Sequence, residues 1–175
     1  MREVVPCEDL GDAAFDAVVS WSVMEHVSQD IFDYQLAILK RALRPGGFLV
    51  FQVSPLYYSA FGSHFVDRQT PWQHLEQQTS LFEAKMREAC LESSISFEKH
   101  WSTFVTLNRF TSEDFLDALS NAGFDVLDVY STRMEISPPD RIVRIFKREI
   151  LMEEQILVVA RTAGAPGGKR QGRTA

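Results

Sequence analysis

Two apolar runs, FDAVVSW at Phe15–Trp21 and FLVFQVS at 48–54, flank a segment in which Phe32, Leu36, Leu39 and Leu43 recur at i, i+4, i+7 and i+11. That spacing lays four side chains along one stripe of a helix. Ser28 or Asp30 is placed to cap its start, and RPGG at 44–47 marks its end, because proline cannot continue a helix and glycine permits a left-handed exit. The flanking runs are mostly apolar rather than alternating, which predicts strands buried on both faces. Strand, helix and strand in that order predict a right-handed βαβ unit and a sheet that is at least partly parallel.

Beyond Pro55 the periodicity loosens. Residues 55–75, PLYYSAFGSHFVDRQTPWQHL, are rich in aromatics and histidine and too long for an ordinary connection. A helix is predicted over 79–92, where Leu81, Lys85 and Ala89 form one row and Phe82, Met86 and Cys90 the row beside it. A second helix opens at Thr111, which with Asp114 resembles a capping box; it directs Phe115, Leu116 and Leu119 to the core and closes at Gly123. FDVLDVY at 124–130 and QILVVAR at 155–161 read as strands, separated by an excursion containing Pro138 and Pro139. From Gly164 the Gly/Lys/Arg/Thr tail is expected to be disordered.

A chain of 175 residues has the size of one domain, able to bury about two-thirds of the surface it exposes when unfolded. Its formal charge of -6, from 24 acidic and 18 basic residues, argues against a broad phosphate-binding face and so against nucleic acid. Cys7 and Cys90 are too few and too far apart for a disulfide framework or a zinc knuckle. The charged N-terminus does not suit a signal peptide and no apolar run is long enough to span a bilayer, so a cytoplasmic location away from membranes is expected.

The ordered set FDAVVSWSVMEHV, LKRALRPGGFLVF, FTSEDFLDALSNAGFDVLDV and ILVVAR resembles the C-terminal two-thirds of a class I S-adenosylmethionine (SAM)-dependent methyltransferase of the methyltransferase-11 type, over most of residues 8–161. The resemblance implies an α/β fold: a partial Rossmann-like sheet from the order 3-2-1-4-5-7-6, with strands equivalent to 3/4 to 7, helices on both faces, and an inserted lid. It implies an N-terminally incomplete domain over 1–163, with 55–110 as the lid and acceptor region and 164–175 as tail. No G-x-G occurs in the sequence, so the family's glycine-rich cofactor turn is missing and the chain is expected to be a fragment, a truncated product or half of a split protein.

By matching position, Glu8, Asp9 and Leu10 correspond to the segment that meets the adenine of SAM, and Ser20, Trp21 and Ser22 to the methionine side. For CEDL read alone, a solvated turn remains the alternative. Methyl transfer needs positioning and, for a hydroxyl or amine acceptor, a base; histidine suits that role, and His26 and His64 are the candidates. Tyr57, Tyr58, Trp72 and His74 are candidates for holding a flat or sugar-like acceptor, or else form an aromatic mini-core that fastens the insertion. Some relatives ligate magnesium through E-x-x-E-H; here Ser22 stands at the first carboxylate position, and no metal is expected. The expected activity is methyl transfer to an O or N of a small-molecule or saccharide-like acceptor. The alternative is an inert methyltransferase-like interaction subunit, completed by a complementing partner or by homo-oligomerisation. A doubly wound dehydrogenase shares the sheet but has no separate motif in its favour.

Overall fold

The computed structural model describes residues 10–65 and 70–163. The expectations for Glu8, Asp9 and the tail lie outside the described residues. β1 (Phe15–Trp21) leads through α1 (Gln29–Ala42) into β2 (Leu43–Val53), and β1 and β2 pair in parallel, with Val18 opposite Leu49 and Trp21 opposite Gln52. The expected strand–helix–strand unit is therefore present. RPGG does not form a separate turn: it belongs to β2, and the pairing jumps from Phe15–Leu43 to Ala17–Phe48 across a bulge. Gly46 adopts φ +80°, and a Cβ on Gly47 would lie 2.8 Å from the Arg44 carbonyl oxygen and 3.1 Å from that of Asp16, so the bulge admits only glycine there without rearrangement.

The insertion follows as α2 (Gln73–Glu76), α3 (Thr79–Ser93) and α4 (Phe97–Thr106). Of the two rows expected on α3, Phe82, Met86 and Cys90 are buried whereas Leu81 is exposed. α4, which periodicity was not used to find, adds Phe97 and Phe104 to that cluster, with Trp101 packed against it. α5 (Ser112–Asn121) begins with the expected capping box: the Asp114 amide donates to the Thr111 hydroxyl, and the Thr111 amide donates to the Asp114 carboxylate at 2.8 Å. β3 (Phe124–Arg133), short helices α6 (Asp140–Val143) and α7 (Arg148–Met152), and β4 (Glu153–Thr162) complete the chain.

The sheet order is β1-β2-β4-β3, with β4 antiparallel to both neighbours. This is the 4-5-7-6 portion of the sheet implied by the resemblance. Leu49, Phe51 and Val53 of β2 and Ile156, Val158 and Ala160 of β4 form one apolar face, on which Phe32 and Leu36 of α1 and Phe115 and Leu119 of α5 pack. The other face stays open. Val19 is 68% exposed, Trp21 64% and Phe48 42%, so β1 is not buried on both faces as its composition predicts; it is an edge strand covered on one face only. Among the described residues no helix is long and apolar enough to cross a membrane.

Gly47→Ala is expected to destabilise the fold by about 1–3 kcal/mol, because backbone oxygens rather than flexible side-chain ends meet the new methyl. Hydrogen exchange should show the loss first in the amides of β1, and exchange unchanged from wild type would refute the close approach.

Candidate functional site

Three segments meet at the carboxyl end of β1. The first is the strand's exit. Ser22, at φ +49°, donates its amide to the backbone oxygen of Gln52 at 3.0 Å and its hydroxyl to Gln52 Oε1 at 2.8 Å. Gln52 in turn donates from Nε2 to Gln155 Oε1 at 3.0 Å. A 3-10 turn, Met24–His26, follows at once. The second segment is Asn108, buried between α4 and α5: its amide donates to the Glu25 carbonyl at 3.0 Å, its Nδ2 to the Met24 carbonyl at 2.8 Å, and its own carbonyl accepts from Gln29 Nε2. The third is the start of the insertion, carrying Tyr57, Tyr58 and His64.

Within this frame the rings of His26 and His64 lie edge to face, centroids 5.1 Å apart. His64 donates Nε2–H to the Pro55 carbonyl at 3.1 Å; a carbonyl can only accept, so Nδ1 of neutral His64 carries the lone pair. His26 makes no side-chain hydrogen bond among the described residues. Burial lowers the pKa of His26 and, with the neighbouring His26 and His74, lowers that of His64 to about 4, although the bond to Pro55 opposes the shift. Both imidazoles are neutral at pH 7. His74 donates Nε2–H to the Tyr57 carbonyl at 2.7 Å, its Nδ1 is buried with no partner among the described residues, and burial lowers its pKa to about 4.

Glu25, beside His26, is 3% exposed, and among the described residues neither carboxylate oxygen has a hydrogen-bond partner in good geometry. Desolvation raises its pKa from the usual 4.5 to about 7; the backbone N–H groups of Glu25 and Ser54 favour the charge but do not offset burial. Tyr57 packs edge-on against Tyr58 and His74, at 5.2 and 5.3 Å, and the Arg109 guanidinium lies 5.2 Å from its ring centre.

The structure thus brings together His26, His64, Tyr57, Tyr58 and His74. It places Trp72 elsewhere: 1% exposed, donating its indole N–H to the Leu151 carbonyl at 3.1 Å, and packed with Ala60, Ile142 and Leu151. Trp72 fastens the insertion to α6 and α7 and does not present a surface to an acceptor, so of the two alternatives for the aromatics it takes the mini-core one. Ser20 and Ser22 are half-buried, with the Ser22 hydroxyl already engaged by Gln52; Trp21 is open to solvent, and Leu10 is half-buried. The Asn108-Arg109 pair before the Thr111 cap reads in sequence as a loop hydrogen-bonding pair or as residues that return to the site; Asn108 does tie the loop, and the positive φ of Arg109 carries no local sequence signal. A groove of about 660 Å³ between α1 and α5, lined in part by Asp33, Lys40 and Asn121, shares no residue with this cluster.

No protein-family model matches the chain, and no curated protein sequence matches it. The chain is similar in fold to SAM-dependent methyltransferases. One, from Methanosarcina mazei, aligns with a TM-score of 0.48 at 11% identity over 90% of this chain and 63% of its own. Another, from Mesorhizobium loti, aligns with a TM-score of 0.45 at 20% identity over 86% of this chain and 62% of its own. The chain therefore spans less than two-thirds of the length of either. At such scores and identities neither likeness assigns a reaction.

The shifted groups make stability depend on pH in opposing directions. Glu25, raised to about 7, stabilises fully below pH 4.5, and that contribution is lost as pH rises through 7. His64 and His74, lowered to about 4, stabilise fully above pH 6.5, and their contribution is lost as pH falls through 4. Between pH 5 and 6.5 each group adds a slope of about 1.4 kcal/mol per pH unit, the histidines positive and Glu25 negative. Glu25→Gln should therefore steepen the rise of stability with pH in this window by about one proton's worth, and His64→Gln should flatten it by as much. Urea denaturation at several pH values reads the slopes, and parallel curves for wild type and both variants would exclude these shifts.

Proposed function

We propose that the chain is part of a SAM-dependent methyltransferase that modifies an oxygen or nitrogen of a small-molecule or saccharide-like acceptor. The observation that carries this reading is the meeting of His26 and His64 at the carboxyl end of the parallel strand β1, the position at which open α/β sheets bind ligands. SAM, when bound, supplies an electrophilic methyl group on a sulfonium. The described residues fit it in part: Trp21 offers an exposed ring and Ser20 a half-buried hydroxyl, while the Ser22 hydroxyl is committed to Gln52.

His26 is the better base of the pair. Its ring is half-buried, unprotonated at pH 7 and free of hydrogen bonds among the described residues, so it can accept a proton from an acceptor hydroxyl or ammonium. His64 holds a proton too weakly for that work at pH 7, and its edge-to-face contact positions the His26 ring instead. Glu25, neutral up to about pH 7, keeps a second charge out of the pocket below that pH. Tyr57, Tyr58 and His74 form the wall against which an acceptor packs, with residues 55–110 as the acceptor region.

Titration calorimetry of SAM against this chain, and against a form extended upstream of Met1, tests the cofactor; binding by neither would overturn the reading. On any acceptor for which transfer is found, His26→Gln should lower kcat about 100-fold and His64→Gln about tenfold. Equal losses in the two variants would reverse or erase their assigned roles.

A second reading, an interaction subunit without catalysis, is favoured by one observation. The sheet face carrying Val19, Trp21 and Phe48 is apolar and exposed, and β1 has a free edge. Light scattering after size exclusion should then show association, and a well-behaved monomer that binds SAM would dismiss it.

A further inference from the structure

Arg109 is a cation of this cluster that has no counter-ion among the described residues. It sits at φ +58°, a left-handed conformation that an arginine adopts at a cost of roughly 1 kcal/mol or more. The turn around it is clamped on both sides. Asn108 is tied to the carbonyls of Met24 and Glu25, and its Oδ1 reaches past Arg109 to accept the Phe110 amide at 3.1 Å. The same clamp holds the turn that bears His26, so the guanidinium and the candidate base are positioned by one set of hydrogen bonds.

The side chain itself is exposed and forms no ion pair among the described residues. Its guanidinium carbon lies 5.2 Å from the centre of the Tyr57 ring, and its charge is felt by Tyr57, Tyr58 and His74. The acidic group felt at Tyr58 is Asp114, whose carboxylate is already engaged by the Thr111 amide and hydroxyl, at 2.8 and 2.7 Å. Asp114 is thus committed to the helix cap. Around Arg109 stand two phenol rings and neutral imidazoles: the Tyr57 ring offers a cation–π contact, but among the described residues none of these groups supplies a counter-charge. A planar fork of donors beside aromatic rings matches a carboxylate or phosphate attached to a ring or sugar.

We propose that Arg109 binds an anionic group of the acceptor, so that the acceptor is an acid, with its ring or sugar against Tyr57 and Tyr58. The word acceptor rests on the methyltransferase reading; the anion site does not, and it is measured without SAM.

The experiment is an NMR titration of the ¹⁵N-labelled chain with 4-hydroxybenzoate, phenyl phosphate and the neutral 4-hydroxybenzyl alcohol. The two anions should shift the amides of Tyr57, Tyr58 and Phe110 saturably, and whichever binds tighter identifies the anion as carboxylate or phosphate. The alcohol should bind at least about tenfold more weakly. Arg109→Gln should weaken the anions about tenfold or more and leave the alcohol unchanged, while Arg109→Lys should retain part of the affinity. An unchanged melting temperature in Arg109→Gln shows that the fold survives the change. Equal binding of alcohol and anions, insensitivity to Arg109→Gln, or no binding of either anion would overturn the proposal. Anion binding in a chain that takes no SAM would sink the methyltransferase reading alone; SAM binding without anion binding would sink this one alone.

Discussion

Gln52 is buried where β1, β2 and β4 lie side by side, and its amide is used at both ends. Oε1 accepts from the amide and hydroxyl of Ser22, and Nε2 donates to Gln155 of β4. A buried amide stranded among apolar neighbours would be strongly unfavourable, so this arrangement requires all three strands to be in register. Register in turn determines where β1 ends, and so where the turn of Met24–His26 begins. At the opposite end of the sheet Thr162 does a similar job, donating its hydroxyl to the Arg44 carbonyl at 2.9 Å and so holding the bulged start of β2 against the end of β4. The geometry of the histidine pair is therefore set by polar groups inside the sheet as much as by the apolar packing of α1 and α5.

Around that frame the polar accounting is deliberately uneven. Asn108 satisfies carbonyls of the histidine turn, yet among the described residues the Glu25 carboxylate and His74 Nδ1 are buried without a well-formed hydrogen bond. An unpaired buried carboxylate is tolerable only in its neutral form, which is what desolvation enforces up to about pH 7. The cluster thus holds neutral imidazoles and a neutral acid close together, with Arg109 and the cap-bound Asp114 as the charges felt at Tyr58. That arrangement suits the proposed anion site and leaves a lone pair on His26 to receive a proton.

Much of the fold was legible in the sequence because each signal had a local cause. The stripe of Phe32, Leu36 and Leu39 gave α1, and the Thr111–Asp114 box gave the start of α5 with its reciprocal hydrogen bonds. Helix α4 was missed although Phe97, Trp101 and Phe104 stand at i, i+4 and i+7, because the aromatic density of the insertion masked its period. His26 and His64 were legible as candidates, but their contact spans 38 positions and depends on the fold. For Trp72 the sequence left two roles open, because an indole two residues before a histidine looks the same whether it faces an acceptor or, as here, bonds Leu151 and fastens the insertion. The Asn108-Arg109 pair was legible only as two polar residues before the Thr111 cap, with a loop hydrogen-bonding role favoured over the site; that Arg109 lies over Tyr57 with no ion pair among the described residues depends on the fold, and no sequence pattern encodes it.

The open sheet face follows from the same logic. A strand covered on one face ordinarily alternates apolar and polar residues, while one covered on both is apolar throughout. β1 is apolar apart from Asp16 and Ser20, yet Ala17, Val19 and Trp21 lie exposed on one face, beside Phe48 and Val50 of β2. Leaving that face in water forfeits roughly 25 cal/mol for every Å² of apolar surface that a covering layer would hide. An indole and a phenylalanine on that face supply much of the area, and Trp21 lies one residue from the Ser22 that Gln52 holds in place. A layer that covered Trp21 would therefore pack against the end of β1, four residues before Glu25 begins the polar half of the site, so cover and site would be joined through the strand's exit.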